Sequence, residues 1–173
     1  GKSTLMRALT RDDDVFVQDQ LFATLDPLTR RIRLDDKHNA LLTDTVGFIQ
    51  KLPTQLVAAF RATLEELTDA SVLVHVVDIT HPDAAGQSQT VEDTLRELGV
   101  ADKPMITVLN KADRAPGPSG AAPNSLGELA MFQASLAENI PGAVLISAQK
   151  RWGLDLLRER IVAVLDRAPV AAR

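Results

Sequence analysis

Gly1-Lys2-Ser3-Thr4 opens the chain with residue types that handle phosphate. They match the last part of a phosphate-binding loop, GxxxxGK[ST]. In such a loop backbone N–H groups at a helix N-terminus cradle the phosphates, the lysine bridges them and the serine hydroxyl binds Mg²⁺. Asp44 stands three residues before Gly47, after the stretch Ala40-Leu41-Leu42-Thr43. Its carboxylate can hold the Mg²⁺ through water, and the Gly47 N–H can meet a terminal phosphate, with Thr45 and Val46 in the same loop. Asn110-Lys111-Ala112-Asp113 follows the apolar run MITVL. A carboxylate there accepts two N–H groups; guanine offers them at N1 and its 2-amino group, and adenine does not. The asparagine side chain reaches the other edge of the base, and the lysine stem covers its face. Ser147-Ala148-Gln149 follows the run AVLI, where a backbone N–H can bind the guanine carbonyl oxygen.

Singly, these stretches say little. GKST can be a polar chain start, most DxxG copies are simple turns, and a serine–alanine pair means nothing. A polar turn does not explain why Asp113 falls at its spacing. Order and context decide, because each stretch borders a helix start or leaves an expected strand. Ligands of parallel α/β sheets bind at the strands' carboxyl ends. The expectation is a domain that binds guanine nucleotide, GTP or GDP, with Mg²⁺.

The elements that must position these loops follow from the apolar pattern. Thr29 to Leu34 and Ala40 to Thr43 flank the polar turn DDKHN and predict a hairpin. Val72 to Ile79, Met105 to Leu109 and Ala143 to Ile146 are short apolar runs without alternation, which suits strands buried on both faces. Helices are expected over Lys2 to Leu9, Thr54 to Thr68, Glu92 to Leu98, Leu126 to Asn139 and Leu154 to Asp166. Gly99 is a natural C-cap for the third of these. Strands alternating with helices predict an α/β fold, a doubly wound, mostly parallel sheet with one antiparallel hairpin strand. The domain is expected to span residues 1–167, followed by a tail over 168–173.

Composition sets the outer bounds. The chain has 173 residues, 45% hydrophobic, enough for one domain with a sizeable core. It has no cysteine, so disulfides and cysteine-based metal sites are excluded. A net charge of −4 argues against coating nucleic acid by bulk charge, and no DNA partner is expected. No apolar run approaches the roughly 20 residues of a membrane span. A cytoplasmic protein is the default. The first residue is Gly1 and not methionine, which reads as a piece of a longer protein.

The stretch DQLFATLDPLTR, from Asp19 to Arg30, sharpens the reading when joined with DTVGFIQKLP and FRATLEE. Together they resemble the HflX family of translational GTPases, a P-loop NTPase family in the same broad group as the Obg proteins. The resemblance runs from Gly1 to about Asp166. It implies that Thr24 is the switch threonine that closes on Mg²⁺ and the γ-phosphate, with Phe22, Ala23, Leu25 and Asp26 lying along the nucleotide. It implies GTP hydrolysis in the complete protein, involving Lys2, Thr24 and Gly47, and a large ribosomal subunit as partner. The family's full phosphate loop begins five residues before Gly1, and its central first strand lies further upstream. The expectation is therefore two sheet edges facing a gap, between the strands ending near Thr43 and Val77, and a 173-residue chain that is inactive alone.

Phe48 follows Gly47, where the best-known switch GTPases carry a glutamine that orients the attacking water. HflX proteins are similar to other GTPases with a hydrophobic residue there. Phe48 cannot align water by hydrogen bonding, so backbone, another side chain or a partner must do so. An Obg-type assembly GTPase and a nucleotide-binding module without hydrolysis are the alternatives. Elsewhere, His75 inside an apolar strand suits a satisfied core histidine. His38 and His81 lie in loops, unclustered, which disfavours a transition-metal site. Arg30, Arg31 and Arg33 suit a solvated hairpin face, with an rRNA phosphate contact as the sharper reading. Trp152 is expected beside the base loop and Asp12-Asp13-Asp14 in an exposed turn.

Overall fold

The computed structural model describes residues 1–10, 28–44 and 67–167. The chain begins with helix α1, Lys2–Thr10, whose Leu5, Met6, Ala8 and Leu9 are buried. Strands β1, Leu28–Arg33, and β2, Asn39–Asp44, form an antiparallel hairpin with Arg31 opposite Leu41. Alternation decides its faces. Ile32 and Leu34 point into the core, whereas Thr29, Arg31, Arg33 and Leu41 face out. Strands β3, Leu73–Asp78, β4, Met105–Asn110, and β5, Val144–Leu145, form a parallel sheet in that order. Helices α2, Ala84–Glu97, and α3, Leu126–Asn139, are the crossovers, and α4, Leu154–Leu165, follows β5.

One core joins the two sheets. Leu5 and Leu9 of α1 meet Ile32 and Leu34 of the hairpin, Ile106 and Val108 of β4, and Leu157 and Ile161 of α4. Among the described residues the hairpin and the parallel sheet share no strand pairing. They part between β2 and β3, where the sequence predicts a gap. Packing against α1 and α4, and not a continuous ladder, relates them.

Local chemistry fixes the ends. Gly99 has φ +69°; its N–H donates to the Arg96 carbonyl at 3.1 Å and the Val100 N–H to that of Leu95 at 3.0 Å. That is a Schellman end. Ser125 caps α3 by accepting from the Glu128 N–H, while Glu128 accepts in return from the Asn124 N–H. The short β5 gains a side-chain partner from α3: Gln133 accepts from the Leu145 N–H at 2.6 Å and donates to the Ala143 carbonyl at 2.9 Å.

Several expectations change. α2 begins at Ala84, well before Glu92, because its first turns are polar and carry no apolar period. β5 is shorter than Ala143 to Ile146. His75 is not satisfied: its buried Nδ1 has no hydrogen-bond partner among the described residues. Burial lowers its pKa, against an opposing pull from Glu92. The predicted helix over Thr54 to Thr68 lies almost wholly outside the described residues, as do Asp12-Asp13-Asp14 and the 168–173 tail. Among the described residues no helix is long and apolar enough to cross a membrane.

The hairpin turn is organised by Asp35. Its carboxylate accepts from the His38 ring and from the backbone N–H groups of Lys37 and His38, all within 2.9 Å. The His38 ring bond first, and the Lys37 N–H next, pull its carboxyl down to about 2. The folded value lies below the unfolded one of about 4. The contribution is therefore complete above pH 4 and lost as pH falls toward 2. Wild type and Asp35→Asn should differ in thermal midpoint most above pH 4 and converge toward pH 2. A difference constant across that range in a pH series would show that the carboxylate charge is irrelevant to the turn.

Candidate functional site

The carboxyl ends of β3, β4 and β5 place Asp78, Asn110 and the 146–148 segment side by side. Asp78 is directly opposite Asn110 in the β3–β4 register. The Ile79 N–H donates to the Asn110 carbonyl, and the Ala112 N–H to that of Ile146, so the loops remain stitched past the last strand residues. At the end of β2 the Ser3 hydroxyl donates to Asp44 Oδ2 at 2.8 Å. Asp44 is buried by the start of α1, so a hydroxyl and a carboxylate from separate elements converge. Both are hard oxygen donors of the kind that bind a divalent cation.

Asn110 is 3% exposed and is the junction of the site. Its Oδ1 accepts from the Lys111 N–H at 2.8 Å and from the Ala148 N–H at 3.0 Å. The amide therefore ties the loop after β4 to the loop after β5. Gly1 abuts the other end of the amide: a Cβ on Gly1 would lie 3.0 Å from Asn110 Nδ2. The Gly1-Lys2-Ser3-Thr4 stretch thus touches both Asp44 and Asn110. Three of the four predicted stretches meet through side chains, and the fourth, Ser147-Ala148, joins through Asn110.

Lys111 adopts the left-handed region, φ +67°, which aims its side chain back over the strand ends. Its Nζ pairs with Asp78 Oδ2 at 2.6 Å. Asp78 Oδ1 also accepts from the Thr80 N–H at 3.0 Å and the Thr80 hydroxyl at 2.7 Å. Burial works to raise the Asp78 carboxyl, but the bonds from Lys111 and Thr80 outweigh it and hold it below the usual range. Among the described residues nothing donates to the Asp113 carboxylate, which lies on the one-turn 3₁₀ helix Ala112–Arg114 beside buried Ala112. Trp152 packs with Leu109, Ala112 and Leu145, next to this loop as expected.

The Ser147-Ala148 prediction needs adjusting. The Ser147 N–H donates to the Trp152 carbonyl and the Ala148 N–H to Asn110 Oδ1, so neither is open. An incoming carbonyl oxygen must compete with Asn110 for Ala148. The turn itself is tight. Gly153 has φ +73°, and a Cβ there would collide with the Leu145 carbonyl oxygen. Thr24, with Phe22, Ala23, Leu25 and Asp26, and Thr45, Val46, Gly47 and Phe48 lie outside the described residues. Asp78 and Thr80 escaped sequence reasoning, although the strand-end position of Asp78 was a signal. The Asn110–Ala148 tie left none.

A parallel sheet with these loops at its carboxyl edge, beside a helix that starts on GKST, defines a GTPase domain of the P-loop class. A family profile described as "50S ribosome-binding GTPase" matches residues 1–111. The chain belongs to that family, and within it the sequence is of the HflX type. It is 46% identical over 166 residues to GTPase HflX of Chlamydia pneumoniae, covering 96% of this chain and 32% of that protein. It is 53% identical over 115 residues to GTPase HflX of Lacrimispora saccharolytica, covering 66% of this chain and 27% of that one. The chain thus spans less than a third of the length of these two relatives. Era, solved with MgGDPNP and a segment of 16S ribosomal RNA, shares the fold at TM-score 0.70 and 18% identity, over 100% of this chain and 54% of that one.

Removing the Asn110 amide would leave two backbone donors, those of Lys111 and Ala148, without their acceptor. Each such loss costs about 1–3 kcal/mol when buried. Asn110→Ala should lower the unfolding free energy by roughly 2 kcal/mol or more in a denaturant titration. Asn110→Asp, which keeps an acceptor oxygen, should lose less. Equal losses would show that the acceptor is not what the amide contributes.

Proposed function

We propose that the chain is the guanine-nucleotide switch domain of a cytoplasmic protein that hydrolyses GTP to GDP and phosphate and acts on the large ribosomal subunit. The convergence of Gly1 and Ser3 on Asn110 and Asp44 carries the reading, because it brings phosphate, cation and base chemistry into one cluster. HflX-type relatives and the membership in a family of 50S ribosome-binding GTPases support the ribosomal assignment.

In this reading Lys2 and the backbone N–H groups of Gly1, Ser3 and Thr4 hold phosphate oxygens at the start of α1, where the helix dipole favours negative charge. Ser3, Asp44 and Thr24 would hold Mg²⁺, and the Ser3–Asp44 oxygen pair fits a hard cation. Bound there, Mg²⁺ neutralises charge on the terminal phosphates. By the family resemblance Thr45, Val46 and Gly47 would serve the γ-phosphate, and Phe22 to Asp26 the nucleotide. Asp113 reads guanine, with its carboxylate unengaged by donors among the described residues. The Lys111 stem, steadied by Asp78, lies against the base face. Asn110 Nδ2 takes the opposite edge. Ala148 exchanges the Asn110 oxygen for the guanine carbonyl, and Ser147 and Gln149 shape that turn. Such catalysis depends mainly on positioning and electrostatics.

Asp113→Asn tests base choice. Asparagine presents a donor to the guanine 2-amino group, an unpaired clash worth about 1–3 kcal/mol, or roughly tenfold to a hundredfold in affinity. Calorimetric titration of the full-length protein should show weaker GDP binding and a gain for xanthosine diphosphate. GDP binding as tight as wild type would remove Asp113 as the base reader.

Phe48 favours a second reading, a nucleotide-binding module that does not hydrolyse, because phenylalanine cannot orient water. GTP turnover by the full-length protein with and without large ribosomal subunits separates the two. Stimulation by the subunit supports the switch, and none favours the binding module.

A further inference from the structure

We propose that Arg151 is a positioning residue for the nucleotide site, fixing the base-side loop to the far end of the phosphate-side helix. The proposal rests on the nucleotide-site reading above. Arg151 Nη2 donates to the Ala8 carbonyl at 2.8 Å, across 143 residues of sequence. Ala8 lies in the last turn of α1, whose first residues form the phosphate-handling stretch. The last-turn carbonyls of a helix have no partner within it and carry its negative pole, so a guanidinium there supplies both a donor and a charge. Thr10 serves the adjacent carbonyls of Met6 and Arg7 through its hydroxyl. Arg151 extends this capping from a separate element.

The backbone is shaped to deliver that side chain. Arg151 has φ +58°, a left-handed conformation that costs a residue with a Cβ. It sits in a closed turn, where the Ser147 and Trp152 N–H groups exchange bonds with each other's carbonyls at 3.1 and 3.0 Å. The Lys150 N–H donates to the Ser147 hydroxyl, and the Lys150 ammonium lies over the Trp152 ring, 4.9 Å from its centroid. The same turn is held at its start through Ile146, whose carbonyl accepts from the Ala112 N–H of the loop after β4 at 3.0 Å. Its two ends are therefore anchored differently, one to the base-reading loop and one to the phosphate helix. A nucleotide long enough to use both regions benefits from their fixed separation. A ligand that uses chiefly the base region does not, because preorganisation helps only the contacts it aligns.

The test compares GDP with GMP in the full-length protein, by competition against a fluorescent GDP. Arg151→Gly removes the guanidinium and relieves the positive φ, and Arg151→Met removes the guanidinium and keeps it. Both variants should weaken GDP by about twofold to fivefold, the scale of one charge at a helix terminus, and leave GMP unchanged. Thermal midpoints are measured alongside, because a merely structural role would weaken both ligands in proportion to lost stability. An unchanged GDP-to-GMP ratio in both variants overturns the positioning role while wild-type GDP binding keeps the nucleotide reading. An altered ratio in Arg151→Gly alone assigns the effect to the backbone conformation and also overturns it. Failure of wild type to prefer GDP over ADP overturns the nucleotide reading and this proposal together.

Discussion

The oxygen of one buried amide, Asn110 Oδ1, holds the cluster together. It accepts from the backbone of two loops that leave neighbouring parallel strands. Parallel strands align their carboxyl ends but do not bond the loops beyond them, so the loops need another tether. A neutral amide suits the place. Its oxygen satisfies two donors inside a buried junction without the desolvation cost of a carboxylate. Its nitrogen faces Gly1. The loops after β4 and β5 and the start of α1 thereby meet at a single side chain.

Around that amide the part-exposed Lys111 has a charged partner and the buried Asp44 a hydroxyl one. Lys111 is balanced by Asp78, which Thr80 steadies with two further bonds. Asp44 is served by the Ser3 hydroxyl. Asp113 is the contrast, a carboxylate with no protein donor among the described residues. Its neighbour Ala112 is fully buried in a cluster that Trp152 packs against.

The hairpin stands apart from this economy. Its ladder is local and its turn is organised by Asp35, with His38 also 3.6 Å from Asp166 past the end of α4. Among the described residues it reaches the site through Asp44 at its last residue, and the parallel sheet through the side-chain core shared with α1 and α4. Its exposed face carries Arg31, Arg33 and Leu41, and Arg33 turns inward on the loop by pairing with Asp36. The solvated-face reading of these arginines therefore accords with their exposure.

The sequence by itself determined the element types and the chemistry at each strand end. Leu126–Asn139 has the bounds its pattern predicts, and MITVL extends one residue to take in Asn110. Apolar period and turn residues act locally, so they are readable locally. The start of α2 was not, because the polar residues from Ala84 onward carry no period and packing of Leu95 against Leu73 and Leu67 retains the helix. The four motif stretches were legible as residue types, but their mutual ties were not. That Asn110 holds Ala148, that Asp78 holds Lys111 and that Arg151 reaches Ala8 depend on which side chains the sheet and its crossovers bring within 3 Å. A sequence specifies a donor or an acceptor, but only the folded chain decides which group it meets, because hydrogen bonds act over a few ångströms and residues far apart in sequence come that close only after the core has packed.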